Sequence, residues 1–251
     1  MSARSPDRSS PMARMSRVLK ATNVERLFGW NSKAWMNPFL RALNDFQIPE
    51  NATILEIGAG SKSAISLFFI NGKRNITVTT CPENQVEFVN EFVKNFTNSF
   101  DDSVTVDCRF IDHISGHYDL IIMKSVLGGL YRTNRFDSRD PEEALLGLVA
   151  NNLNPDGLLI TLDNGATIFE RLIRKFGARK NHWRFFLPSD FKCFTRQYQF
   201  GIFSCFSLTT RIGGVGVILE NIIYEIDLFI LKFVKKYRPS VIVSVYRAKP
   251  I

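Results

Sequence analysis

The sequence of 251 residues predicts an α/β protein, a mostly parallel sheet with helices on both faces. Three observations predict it. Strand-type and helix-type segments alternate from about residue 37 onward; a short apolar run at 53–58 ends in two glycines one residue apart; two β-branched runs near the end flank an apolar helix. Hydrophobic content of 45% and a mean hydropathy of −0.04 describe an ordinary globular chain, long enough for one large core. Residues 1–22 read as a disordered basic tail and 23–251 as a single domain whose first part, 23–50, is a helical lid segment.

The elements follow in order. "NPFLRALNDF" (37–46) opens with Asn37 and Pro38, a cap and a first helical position, and places Phe39, Leu40, Leu43 and Phe46 on one face. "TILEIG" (53–58) is a buried-strand run, followed by a helix-like "SAISLFFI" closed by Asn71-Gly72. "NITVTT" (75–80) is the next strand, and "ENQVEFVNEFVKNF" (83–96) sets Val86, Val89, Val93 and Phe96 at helical spacing. Strands at 103–110 and 118–126 come next. A helix at 140–153 carries its own start signal in Asp140, Pro141 and Glu143. The turn "NPDG" (154–157) leads into a strand at 158–164, and strands at 202–210 and 240–248 flank a buried or half-buried helix of 217–236.

A formal charge of +8 and a pI near 9.4 suit nucleic acid, anionic lipid or a phosphorylated substrate, or else a solvated tail and a solvated helix face. The charge is local, with Arg4, Arg8, Arg14, Arg17 and Lys20 in the tail and Arg171, Arg174, Lys175, Arg179, Lys180 and Arg184 in a second cluster. The tail lacks the apolar run of a secretory signal. Acidic Glu220, Glu225 and Asp227 interrupt the most apolar window, which argues against a membrane span and leaves peripheral contact open. Cys81, Cys108, Cys193 and Cys205 show no C-x-x-C spacing, so a cytoplasmic, reducing setting is expected, without a zinc knuckle.

"ILEIGAGSKSA" (54–64) is the most informative stretch. Gly58 and Gly60 permit a tight turn at a strand end, where ligands of parallel sheets bind. A dinucleotide fingerprint needs glycine at 63, and the residue is Ser63; Glu56 on the strand also suits a ligand with cationic or hydrogen-donating groups better than a pyrophosphate. The turn by itself is equally compatible with no ligand at all.

These residues resemble the first motif of the class I S-adenosylmethionine-dependent methyltransferases, a hydrophobic strand, an acidic residue and G-x-G. "VDCRF", "YDLIIMKSVLGGL" and "LNPDGLLITLDN" follow in the family's order, so the resemblance covers about residues 25 to 165 well and the rest loosely. It implies a Rossmann-like seven-stranded sheet, mostly parallel, with an antiparallel C-terminal strand, and S-adenosyl-L-methionine as cofactor. "KSVLGGL" and "NHWRF" are similar to members that modify polysaccharides or small molecules.

The resemblance also implies roles. Gly58, Ala59 and Gly60 would line the cofactor's amino-acid end, with Glu56 beside it. Thr80 stands where the family has a carboxylate for the ribose hydroxyls, so the ribose is held by one hydroxyl or by Glu83 instead. Asp107 and Cys108 occupy the adenine position, although Asp107 is equally explained as a solvated strand-end carboxylate. Lys124, with Ser125, ends the fourth strand where donor and acceptor meet and would orient an anionic acceptor, unless it is a surface lysine. Methyl transfer needs alignment and no metal; a hydroxyl acceptor benefits from a base, for which Asp163 and His182 are the candidates. His113 and His117 read equally as surface residues, and Trp30 and Trp35 as a lid over the cleft or as packing.

The expected activity is therefore methyl transfer to a small-molecule or glycan acceptor, at oxygen, with the oligomeric state left open. Two alternatives stand beside it: a nucleic-acid methyltransferase, favoured by charge but lacking a recognisable binding module, and a methyltransferase-fold protein that binds without catalysing, suggested by Lys62, Thr80 and Gly128-Gly129.

Overall fold

The computed structural model describes residues 26–29, 32–60, 63–70, 74–81, 83–97, 104–130, 141–166, 185–190, 194–200 and 241–248, with scattered positions between 218 and 230. Seven strands form one sheet: β1 Thr53–Ile57, β2 Asn75–Thr80, β3 Val104–Cys108, β4 Tyr118–Lys124, β5 Leu153–Asn164, β6 Arg196–Phe200 and β7 Val241–Arg247. Their order is β3-β2-β1-β4-β5-β7-β6. The first five pair in parallel, β7 runs antiparallel to β5, and β6 runs antiparallel to β7. The mostly parallel sheet with an antiparallel C-terminal strand is thus present. The chain winds outward from β1 to β3 and then crosses back to β4, so the switch point lies between the C-terminal ends of β1 and β4.

β1 reads as a near-continuous apolar run because both faces of a central parallel strand are covered, and Ile54 through Ile57 are all buried. Alternation then sorts the side chains. Ile54, Val78, Ile122, Leu162 and Val243 share one core with Trp35 and Phe39 of helix α1 (Ser32–Asp45). Leu55, Ile121, Met123, Leu159 and Ile242 share the other with Phe186 and, from a later helix, Leu145 and Leu148. In chain order the remaining helices are α2 Val86–Thr97, α3 Leu127–Leu130 and α4 Pro141–Asn152, the last of which holds that leucine pair. Val89 and Val93 of α2 are buried as their spacing predicts.

Two expectations are corrected. Helix α1 begins at Ser32, and Pro38 lies inside it rather than at its start. Ala34 and Trp35 are fully buried, and burying a side chain of that size stabilises by about 2–3 kcal/mol, enough to carry the helix past the hydrogen bond that proline cannot make. "SAISLFFI" forms a 3-10 helix over Ile65–Phe69 instead of an α-helix, closed by bonds from Leu67 N–H to Ala64 O and from Ile70 N–H to Leu67 O. All five of its residues are buried, so it has no polar face to turn to water and wedges under α1 against Phe39.

The sixth strand, Arg196–Phe200, is one the sequence reading did not expect, and the strand expected at 202–210 lies outside the described residues. It is tied to α1 by Arg196 and Tyr198, which both donate to Asp45. The described positions of the apolar 217–236 segment are helical and half-buried, with Ile223 and Ile230 partly covered while Ile218 is 61%, Ile222 50% and Phe229 62% exposed. The basic tail, Lys62, Trp30, Cys193, Cys205 and the 171–184 cluster all lie outside the described residues. Cys81 and Cys108 are both part-buried.

Candidate functional site

The glycine turn after β1 is held by its own backbone. Ala59 N–H donates to Thr79 O at 2.8 Å, and Gly60 and Ser63 exchange two bonds of 3.1 Å that close the loop between them. The amides expected to face a ligand are therefore engaged within the turn. The two glycines differ. Gly58 adopts a φ of +75°, and a Cβ there would stand 2.5 Å from Val126 Cγ2, so its bareness serves the close approach of the chain after β4. Among the described residues, only Ser63 Oγ, at 3.7 Å, comes within 4 Å of a Cβ placed at Gly60.

Glu56, expected beside the cofactor, is 2% exposed and faces inward. Its carboxylate accepts from Ile65 N–H at 2.9 Å, from Ser66 N–H at 2.7 Å and from the Ser66 hydroxyl at 2.6 Å. It caps the 3-10 helix and thereby fixes the loop that contains Gly60. Burial raises its pKa, against the pull of these bonds and of the Lys124 ammonium. The partners lie nine and ten residues ahead, at no motif spacing, so the sequence carried no sign of them.

At the next strand ends, Thr79 is buried and its hydroxyl donates to Glu56 O at 3.1 Å, while Thr80, on the other face, is 2% exposed. Glu83, the alternative ribose holder, is exposed in a short turn after β2. Asp107 Oδ1 accepts from Cys108 N–H and Oδ2 from Arg109 Nε, both at 2.7 Å. The Cys108 amide expected to meet an adenine ring is thus engaged by its neighbour. The Asp107 side chain remains 39% exposed, and a carboxylate so bonded keeps acceptor capacity.

Lys124 and Asp163 stand near the ends of β4 and β5 but on opposite faces of the sheet. Lys124 is in register with Leu162 and turns toward α1, with Nζ 4.9 Å from the centre of the Trp35 ring. Burial pulls its pKa down to about 8, which Glu56 partly offsets. Trp35 is accordingly core packing beneath a cation and not a lid. Asp163 is in register with Ile242 and turns to the α4 face, 1% exposed, with no hydrogen bond to either carboxylate oxygen among the described residues. Burial pushes it up to about 7; the nearby Thr161 hydroxyl pulls the other way without closing a hydrogen bond.

Thr161 and Ser244, register partners on β5 and β7, are likewise buried and unbonded there, a polar patch the sequence reading missed because each looks like an ordinary strand residue. Beside it, Phe186 N–H donates to Asn164 O and Ala166 N–H to Phe186 O, which seats the 185–190 segment against β5. His182 lies outside the described residues. His117 is exposed at the start of β4, the end of the strand away from Gly58, and His113 is exposed against Phe110; neither joins the site.

No known family profile matches the sequence, and no curated protein matches it significantly. Solved structures do match. A SAM-dependent methyltransferase from Methanosarcina mazei aligns at 15% identity and a TM-score of 0.51, over 81% of this chain and 95% of its own. Coclaurine N-methyltransferase bound to N-methylheliamine and SAH aligns at 11% identity and 0.55, over 97% and 88%. Magnesium protoporphyrin IX methyltransferase from Synechocystis, with bound SAH, aligns at 13% and 0.53, over 94% and 93%. At these identities the likeness is one of fold, and the chain has the Rossmann-like fold of the class I methyltransferases.

Proposed function

We propose that this protein is a class I methyltransferase that uses S-adenosyl-L-methionine and methylates an oxygen of a small-molecule or glycan acceptor. The observation that carries the reading is the Gly58–Gly60 turn at the switch point of this sheet, beside strand ends that bear Thr80, Asp107 and Lys124. The cofactor supplies a methyl group on a sulfonium, open to in-line displacement by a nucleophile.

The chain's own residues then divide the work. Gly60 leaves space for the cofactor's amino-acid end, in a loop that Glu56 keeps in shape. Thr80 or Glu83 holds the ribose, and Asp107, still partly exposed, accepts from the adenine amine. Asp163 is the candidate to take the acceptor's proton, with His182 the other, while Lys124, on the opposite face of the sheet, is left to the cofactor's side of the cleft. Four cysteines without C-x-x-C spacing support a reducing, cytoplasmic setting.

Because Asp163 must be ionised to take that proton, kcat/KM on any acceptor that turns over is expected to rise through about pH 7. Titration calorimetry with S-adenosylmethionine and with S-adenosylhomocysteine tests the reading directly. Saturable heat at sub-millimolar ligand is expected; its absence with both ligands overturns the enzymatic reading in favour of a fold that no longer catalyses.

A further inference from the structure

Four polar atoms on the α4 face of the sheet are buried without a hydrogen bond among the described residues: Thr161 Oγ1, both carboxylate oxygens of Asp163, and Ser244 Oγ. β5 and β7 bring them together. Thr161 and Ser244 are register partners, and Asp163 lies two residues further along β5, on the same side and toward the strand's C-terminal end. Thr161 and Ser244 are fully buried and Asp163 is 1% exposed, so bulk water does not serve them. Lys124, at the end of the neighbouring strand, turns to the other face and brings Asp163 no counter-charge. Buried polar groups in a folded chain are nearly always satisfied, and a cluster left open costs stability that valine at 161 and alanine at 244 would spare. Such a cost is kept where the groups meet a ligand.

Counts of donors and acceptors say which ligand fits. An ionised carboxylate only accepts, at two oxygens, whereas the hydroxyls of Thr161 and Ser244 each have a hydrogen to give. A metal ion or an ammonium group meets the carboxylate but takes neither hydroxyl hydrogen. A pair of adjacent hydroxyls meets all four atoms, each donating to one Asp163 oxygen and accepting from Thr161 or Ser244. We propose that Thr161, Asp163 and Ser244 form the acceptor subsite and hold a vicinal diol, the arrangement that a sugar ring presents. The acceptor role rests on the methyltransferase reading; the diol site itself does not. The way in passes Phe186, buried in the same core, whose N–H donates to Asn164 O at 2.9 Å and whose carbonyl accepts from Ala166 N–H at 2.8 Å. Entry requires these two bonds at the end of β5 to open.

Saturation-transfer NMR on the full chain tests the site at about pH 8, where Asp163, pushed up to about 7 by burial, is ionised. The probes are the vicinal isomer of cyclohexanediol, the isomer whose hydroxyls stand one carbon further apart, and cyclohexylammonium. The vicinal isomer is expected to give the strongest signal, and Thr161→Val/Ser244→Ala to weaken it at least about fivefold while S-adenosylmethionine binding in calorimetry is unchanged. The same variant is expected to keep or raise the Tm, because the hydroxyls it removes are unbonded in the empty protein. A lowered Tm would show them bonded and overturn the proposal. So would equal signals from the three probes, a signal that the variant leaves intact, or no signal at all, which would leave the patch to buried water. Stronger binding of cyclohexylammonium would make it a cation site instead. Diol binding without any heat from S-adenosylmethionine would keep the diol site and strip it of its acceptor role.

Discussion

Gly58 and Gly60, two residues apart in one turn, are required for different physical reasons, and the difference decides which of them reports on ligand binding. At Gly58 a methyl group meets Val126 Cγ2 at 2.5 Å on a backbone already at φ +75°. Gly58→Ala is therefore expected to cost about 1–3 kcal/mol, read as a lower urea midpoint, whether or not a ligand is present. Gly58→Val confounds binding with folding for the same cause. Among the described residues Gly60→Ala meets only Ser63 Oγ at 3.7 Å and should shift stability by less than about 1 kcal/mol. Its expected effect is a loss of S-adenosylmethionine affinity of about tenfold or more in calorimetry, since the methyl group would stand where the cofactor's amino-acid end is proposed to lie.

Among elements, the 3-10 helix of Ile65–Phe69 shows how a motif residue comes to have a structural duty. Glu56→Gln keeps the shape of the side chain but sets an amide NH2 among three donors from Ile65 and Ser66. A buried donor facing donors costs about 2–4 kcal/mol, and amide hydrogen exchange at Ile65 and Ser66 should accelerate while β4 and β5 stay protected. This also marks the limit of what the sequence disclosed. The parallel strands and β7 were legible because each is an apolar or β-branched run, and the Gly58–Gly60 turn was legible as punctuation, whereas the polar β6, Arg196–Phe200, was not. The capping of a distant turn by Glu56, the stacking of Lys124 on Trp35 and the opposed faces of Lys124 and Asp163 depend on contacts between residues remote in the chain, which no local pattern records.

At the level of the whole molecule, burial of Asp163 makes global stability depend on pH in an unusual direction. The folded group keeps its proton up to about 7, whereas the ordinary value for the unfolded chain is 3.8. The native state thus binds more protons than the unfolded state in between, and stability falls as pH rises from about 4 to about 7. Asp163→Asn is expected to remove that slope and to raise the Tm by several degrees at pH 8 relative to wild type, with little change at pH 4, as measured by calorimetric scans. A slope unchanged in the variant would place the titration elsewhere. The parallel half of the sheet was readable from alternation alone, but the seating of β7 between β5 and β6 was not, because antiparallel insertion leaves no trace in composition. That seating has a consequence for biosynthesis. Until residues 241–247 have been made, β5 presents an open edge and β6 lacks its described partner strand, so nascent chains that stop short of β7 should depend on chaperones more than those that include it.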